Sequence, residues 1–373
     1  MSEEAEVWDV IVVGAGVAGL GVAWQLAGLG ERVLVLEREH AGSGASGAAA
    51  GMLAPTSEVH FEEHALLHLG QRSLAMYPEF LQELERASGL DVDHRTHGTL
   101  VVGLDGDDTA ALKHLYAYQQ GLGLDVQWCT DTQARAIEPA LSPNVHSAVF
   151  CATDHQVDPA LLVKSLERAC SQAGASILKG AGVDAITVVA ERVQGVVLQD
   201  GRALRARRVL LAAGAWTRSI QGITRRAMPH IRPIRGQMIA LDMGAQPLCE
   251  HVVRAPDAYL VPKSDGRLLV GATMEEMGFD ARPTAGGQFE LLRGAWETMP
   301  GVYDMPILDT WVGFRPMSLN NLPVLGPSPH VQGLWFATGH GRNGILLAAI
   351  TATQVARAMV GQPYDEAIES FFR

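Results

Sequence analysis

Cysteine is scarce in this chain of 373 residues: Cys129, Cys151, Cys170 and Cys249 stand far apart and form no C-x-x-C pair. A disulfide framework and a thiolate metal centre are therefore excluded, and all four read as small buried apolar side chains in a reducing cytosol. Clustered positive charge is also lacking. The 29 Lys and Arg are outnumbered by 41 Asp and Glu, a formal charge of −12, which argues against nucleic acid or an anionic membrane as partner. No apolar run approaches the roughly 18 residues of a membrane span. Before Asp9 the chain is acidic (Glu3, Glu4, Glu6), so the apolar run Val10 to Val13 lacks the basic flank of a signal peptide. No catalytic triad, carboxylate dyad or metal-ligand cluster stands out. What remains is a cytoplasmic protein whose partners are small molecules or proteins, with 47% apolar residues and enough length for two domains.

What is abundant is glycine, placed where a nucleotide needs it. "VWDVIVVGAGVAGLGVAWQLAGLGERVLVLE" reads as strand, glycine turn, helix and strand. Gly14, Gly16 and Gly19 complete G-x-G-x-x-G, and Glu37 closes the second strand. This is the βαβ dinucleotide unit: a tight turn, a pyrophosphate at a helix N-terminus and an acid for the ribose hydroxyls. An acid there suits a free 2′-hydroxyl and disfavours NADP.

Downstream, Asp158-Pro159 opens a helix that Gly174 closes, with Cys170 on its apolar face. A hairpin turning at Asp200-Gly201 leads into a second all-apolar strand, Val209 to Ala213. Between about 230 and 310, "QMIALDM", "DAYLVPK" and "RLLVGATM" read as short antiparallel strands. The last 40 or so residues return to strand, glycine turn and a helix starting near Gly344. The expected division is a discontinuous nucleotide domain, 1–88 with 152–228 and 310–373, and a substrate domain, 89–151 with 229–309.

The segment "GSGASGAAAGMLAP" (42–55) follows the ribose acid and carries no charge. A flexible spacer has such a composition, and so does backbone lying against a long flat cofactor. FAD needs dispersed contacts: a glycine turn for the pyrophosphate, small residues under the ribityl chain and flavin, and a remote helix terminus near the flavin carbonyls. The segment fits that cofactor.

Taken together, "GAGVAG", "AAAGMLAP", "YLVPKSDGRLLVGATMEE", "WVGFRP" and "ATGHGRNGILLA" resemble the FAD-dependent D-amino-acid oxidase and sarcosine oxidase family, in its glycine oxidase branch, along essentially the whole chain. The resemblance implies an α/β FAD-binding domain of glutathione-reductase type and an α+β substrate domain built on an antiparallel sheet. It assigns Arg315 to the substrate carboxylate and Tyr259 to a hydrogen bond with it. A guanidinium fork suits that task, since it binds a carboxylate bidentately. Arg342 could support either the carboxylate or the flavin. Met274 and Met52 are candidates for the pocket wall, with ordinary core packing as the other reading, and Gly341 stands where the family carries a bulky residue. The FAD contacts implied are Gly14, Gly16, Val17, Ala18 and Gly19, then Glu37 and Arg38, then Ser46, Ala49, Ala50, Gly51 and Met52. Val183, Ala213, Gly214, Trp216 and Arg315 follow, with His340, Gly341, Arg342, Asn343, Gly344 and Ile345 at the last turn.

The activity implied is oxidation of glycine, sarcosine or small D-amino acids to the imine, with dioxygen reduced to hydrogen peroxide and a context in thiamine biosynthesis. The alternative is a D-amino-acid dehydrogenase that passes electrons to a quinone. No cysteine lies near Arg315 to attach the flavin, so FAD is expected to be non-covalent. Tetramers occur in the branch, and a homo-oligomer is possible. Gly341, "RPMSLNNLP" in place of a Gly-Thr-Pro-Asp-Gly type segment, and Lys263 in place of arginine depart from the family pattern and bear on substrate size.

Overall fold

The computed structural model describes residues 7–372, so Glu3, Glu4 and Glu6 lie outside the described residues. Two eight-stranded sheets organise the chain. In the first, Val7–Val13 is central, paired in parallel with Ala203–Leu211 on one side and Val33–Leu36 on the other. Val10, Ile11 and Val12 are fully buried, as a β-branched run between two parallel neighbours should be. Leu334–Thr338 and Ser176–Leu178 extend the parallel core outward. Val17–Gly28, Pro159–Gln172 and Ala348–Met359 supply helices whose buried faces join one core with this sheet.

Local signals act as read. The Asp158 carboxylate caps its helix by accepting from the Leu161 amide at 2.9 Å, with Pro159 in the first turn. Arg192–Leu198 and Ala203–Leu211 form the antiparallel hairpin.

The second sheet runs in the order Ile307–Met317, Arg232–Asp242, Arg267–Gly271, Tyr259–Pro262, Val252–Arg254, Thr99–Gly103, Ser147–Cys151, Gln127–Thr130. Every adjacent pair is antiparallel except Val252–Arg254 with Thr99–Gly103. Its register sets one row of cross-strand partners: Arg254, Tyr259, Gly271, Met238 and Trp311. Direct cross-strand partners share a face, so these side chains stand together.

The last helix departs from expectation. It begins at Ala348, and residues 341–343 form a 3-10 turn before it. Asn343 bonds back to the His340 carbonyl and Ala348 to that of Ile345, three-residue bonds that tighten the chain before regular helix starts. The four cysteines are free and buried. Among the described residues no helix is long and apolar enough to cross a membrane, and no group of His, Cys, Asp and Glu is arranged for a metal ion.

Candidate functional site

A long cleft runs along the C-terminal ends of the parallel strands and under the face of the second sheet. At one end lies the turn after Val13. Gly14 has φ +106°, and a Cβ on it would stand 2.6 Å from the Ala212 carbonyl oxygen, so only glycine fits. The helix from Val17 has no side-chain cap and no acid in its first turn. Its N-terminus is open to an anion, with the Ser46 hydroxyl accepting from the Val17 amide at 3.0 Å. Glu37 is 9% exposed, and its carboxylate accepts from the Ala15 and Glu39 amides, each at 2.9 Å. Those bonds fix the acid at the rim of the cleft.

The 42–55 segment lies against other elements and is no spacer. Ala48 accepts from the Trp311 indole at 3.1 Å, and Gly313 faces Ala48 so closely that a Cβ on the glycine would clash. Strand Ile307–Met317 thus tracks along the cleft, with Gly313 and Arg315 on one strand face.

The cleft brings together most of the residues singled out from the sequence: Gly14, Gly16, Val17, Ala18, Glu37, Arg38, Ser46, Ala49, Val183, Ala213, Gly214, Trp216, Arg315, His340, Gly341, Arg342, Gly344 and Ile345. Arg38 lies over the Trp216 ring at 4.7 Å. Gly19, Ala50, Gly51, Met52, Asn343, Tyr259 and Met274 are outside its lining. Gly19 packs against the Gly14 carbonyl, and Gly51 against that of Val157. Ala50 is buried beside Met52, Tyr259 and Met238, and Asn343 is also buried. Met274 is 69% exposed, so a place in a closed pocket wall is not what the structure gives it.

Arg315 donates from Nη1 to the Thr273 carbonyl at 3.1 Å, and no carboxylate pairs with it among the described residues. Its guanidinium lies over Gly236, where any Cβ would collide with it. Tyr259 likewise lies over Gly271, and its hydroxyl donates to the Met238 thioether at 3.4 Å. Burial raises the Tyr259 pKa, and the Arg315 charge pulls against that rise. Sequence reasoning missed Gly236, Gly271 and Met238. The signal was present as isolated glycines within strand patterns, which mark close approach by another group.

Arg342 has a different surrounding from Arg315. It forms an ion pair with Glu63 and donates to the Glu58 carbonyl at 3.3 Å. Its turn is pinned from behind, because Ser73 donates to the Leu346 carbonyl at 2.6 Å and Tyr77 to that of Ile345. His340 is 5% exposed, with Nε2 3.1 Å from the Thr351 hydroxyl, and burial lowers its pKa to about 4. Neutral and enclosed, it is a structural element of the turn.

A helix N-terminus whose N-cap Gly16 brings no side chain, a fixed acid 23 positions after Gly14 and a cleft floored by small residues form a set that fits FAD. Residues 9–358 match the family of FAD dependent oxidoreductases (DAO). The chain belongs to that family. It is an enzyme of the FAD-dependent oxidoreductase class, with FAD as its cofactor. Glycine oxidase from Geobacillus kaustophilus (strain HTA426) is 33% identical over 94% of this chain and 92% of its own length. The crystal structure of glycine oxidase from that species superposes with a TM-score of 0.90 over 98% of both chains. Hydrogen cyanide synthase subunit HcnC from Pseudomonas aeruginosa is 29% identical over 94% of this chain and 92% of its length. The bifunctional protein ThiO/ThiG of Trichormus variabilis is 33% identical over 97% of this chain, which spans 54% of that protein.

Proposed function

We propose that this DAO-family enzyme oxidises a small amino acid, glycine first and then sarcosine or small D-amino acids, with dioxygen as the electron acceptor. The observation that carries this reading is Arg315: a guanidinium on the wall of the cleft with no carboxylate paired to it among the described residues. It is a ready partner for a substrate carboxylate.

FAD, when bound, would supply the two-electron acceptor for the substrate Cα–H and the route from it to dioxygen and hydrogen peroxide. The glycine turn at 14–19 and the helix N-terminus at Val17 would hold its pyrophosphate, and Glu37 its ribose. Arg315 binds the substrate carboxylate in two places and so fixes the direction of Cα–H. Tyr259 adds a hydrogen bond to the same carboxylate and gives up its weak bond to the Met238 sulfur to do so. Strand Ile307–Met317 touches the cofactor-side segment at Ala48 and carries Arg315, so one rigid element sets the distance between cofactor and substrate. No side chain has to remove a proton if the amine arrives neutral. The imine leaves to hydrolyse to the oxo acid and ammonia or an amine.

Under this reading residues 1–88, 152–228 and 310–373 form the cofactor domain, and 89–151 with 229–309 the substrate domain; strand Ile307–Met317, which pairs in the second sheet, bridges the two. With relatives named glycine oxidase and ThiO/ThiG, we place the reaction in thiamine biosynthesis. The test is peroxide release by the purified yellow protein with glycine, sarcosine, D-alanine, D-proline and larger D-amino acids. Peroxide with glycine or sarcosine is expected. Flavin bleaching without peroxide in air would move the acceptor to a quinone, and no bleaching by any amine would remove the substrate class.

A further inference from the structure

We propose that Glu58 restricts the substrate to a single carboxylate, by occupying two guanidinium groups that would otherwise form a second anion site beside Arg315. The inference rests on the amino-acid oxidase reading above. Arg315 and Arg342 line the cleft, and Arg254 joins Arg342 at the Glu58 carboxylate. Arg315 bonds the Thr273 carbonyl and interacts with Tyr259, and no carboxylate pairs with it among the described residues. Arg254 stands directly opposite Tyr259 across the strand pair, so its side chain shares the face that carries the substrate tyrosine. Arg254 forms an ion pair with the Glu58 carboxylate. Arg342 approaches the same carboxylate from the cofactor turn, with Nε 3.9 Å from Glu58 Oε2, and takes Glu63 as its closer partner. Glu58 and Arg254 both act on the Tyr259 hydroxyl, together with Arg315, and Arg342 lines the same cleft as Arg315.

The charge count follows. Glu58 and Glu63 pair with Arg254 and Arg342, Asp154 also acts on Arg254, and Arg315 has no paired carboxylate among the described residues. His60, on the same loop, is held toward its neutral form by burial and by Arg342, so it adds nothing to the sum. Asp154 directs its oxygens to the Thr56 and Ser57 amides, at 3.1 and 3.0 Å, and the Gln119 amide donates to the Thr56 carbonyl at 2.9 Å. These bonds pin the backbone of the loop that carries Glu58, and the pair with Arg254 holds its carboxylate. Arg342 Nε is buried without a hydrogen-bond partner, a donor left open for an acceptor if Glu58 is neutralised. Specificity of this kind comes from denying a site to the wrong ligand.

The test measures acetate and malonate binding to the FAD-loaded protein by calorimetry, which requires no turnover. Wild type is expected to bind acetate and to bind malonate at least about tenfold more weakly. Glu58→Gln, which keeps the shape and removes the charge, should shift that ratio by about tenfold or more toward malonate, and the shift should shrink in high salt. Arg254→Gln leaves Glu58 in place and should not favour malonate. FAD-loaded Glu58→Gln with the wild-type ratio would overturn the proposal. Because removing one partner of a buried pair can prevent folding, the wild-type arm decides by itself: malonate bound as tightly as acetate sinks the role of Glu58. Failure of wild type to bind acetate at all would remove the amino-acid reading and this proposal with it.

Discussion

At the residue scale the account turns on how glycines seat two functional side chains. Arg315 is fixed by the Thr273 carbonyl and by the missing Cβ of Gly236. Replacing it with lysine keeps the charge and loses the fork, so kcat/KM for glycine should fall by about 10²-fold with FAD still bound, as measured by steady-state kinetics. Gly236→Ala should push the guanidinium aside and raise KM more than it lowers kcat. Buried titrating groups set the acid behaviour. His340 has its pKa lowered to about 4, so the stability it contributes is present above its ordinary value of 6.5 and is lost as pH falls toward 4. Asp154 is raised to about 6 by burial, so its contribution is present below 3.8 and is lost as pH rises through 6. The two oppose each other between pH 4 and 6. Asp154→Asn should therefore make the loss of stability on acidification steeper, read from urea midpoints across that range; an unchanged slope would contradict the assignment.

At the element scale, what was legible in the sequence was local. The run Val10 to Val13, the glycine turn, Glu37 and the Asp158-Pro159 cap each announce themselves within a few residues, because period, turn chemistry and capping are local physics. The composition of segment 42–55 suited a spacer as well as a cofactor-facing backbone, and only its place after Glu37 separated the two; its contacts with Trp311 and Gly313 show why Ala48 must be small. The row Arg254, Tyr259, Gly271, Met238 and Trp311 was not legible, because it spans five strands and is set by register. The ion pairs of Arg342 with Glu63 and of Arg254 with Glu58 were hidden for the same reason, since sequence separations of 279 and 196 leave no pattern. Met274 sits in a motif yet is largely exposed, a reminder that a motif fixes chain path more firmly than side-chain direction. Gly313→Val should lift strand Ile307–Met317 from Ala48 and weaken FAD retention on gel filtration, whereas Val at exposed Gly286, which meets nothing, should not.

For the whole molecule, one chain folds into a sheet with a parallel core and a mainly antiparallel sheet, and the cleft proposed to hold cofactor and substrate lies where they meet. Ligand and fold are thereby coupled: added FAD should raise the thermal midpoint in a concentration-dependent way, and Gly14→Ala, which puts a Cβ against the Ala212 carbonyl, should abolish most of that rise. The central claim is that Arg315 holds a small amino acid against bound FAD. It is tested most directly by mixing glycine with FAD-loaded wild type and Arg315→Ala under anaerobic conditions and following the flavin absorbance. The account predicts rapid bleaching in wild type and a loss of at least about 10²-fold in rate for the variant with its FAD intact. Equal bleaching in both, or none in wild type with glycine or any other small amino acid, would contradict it.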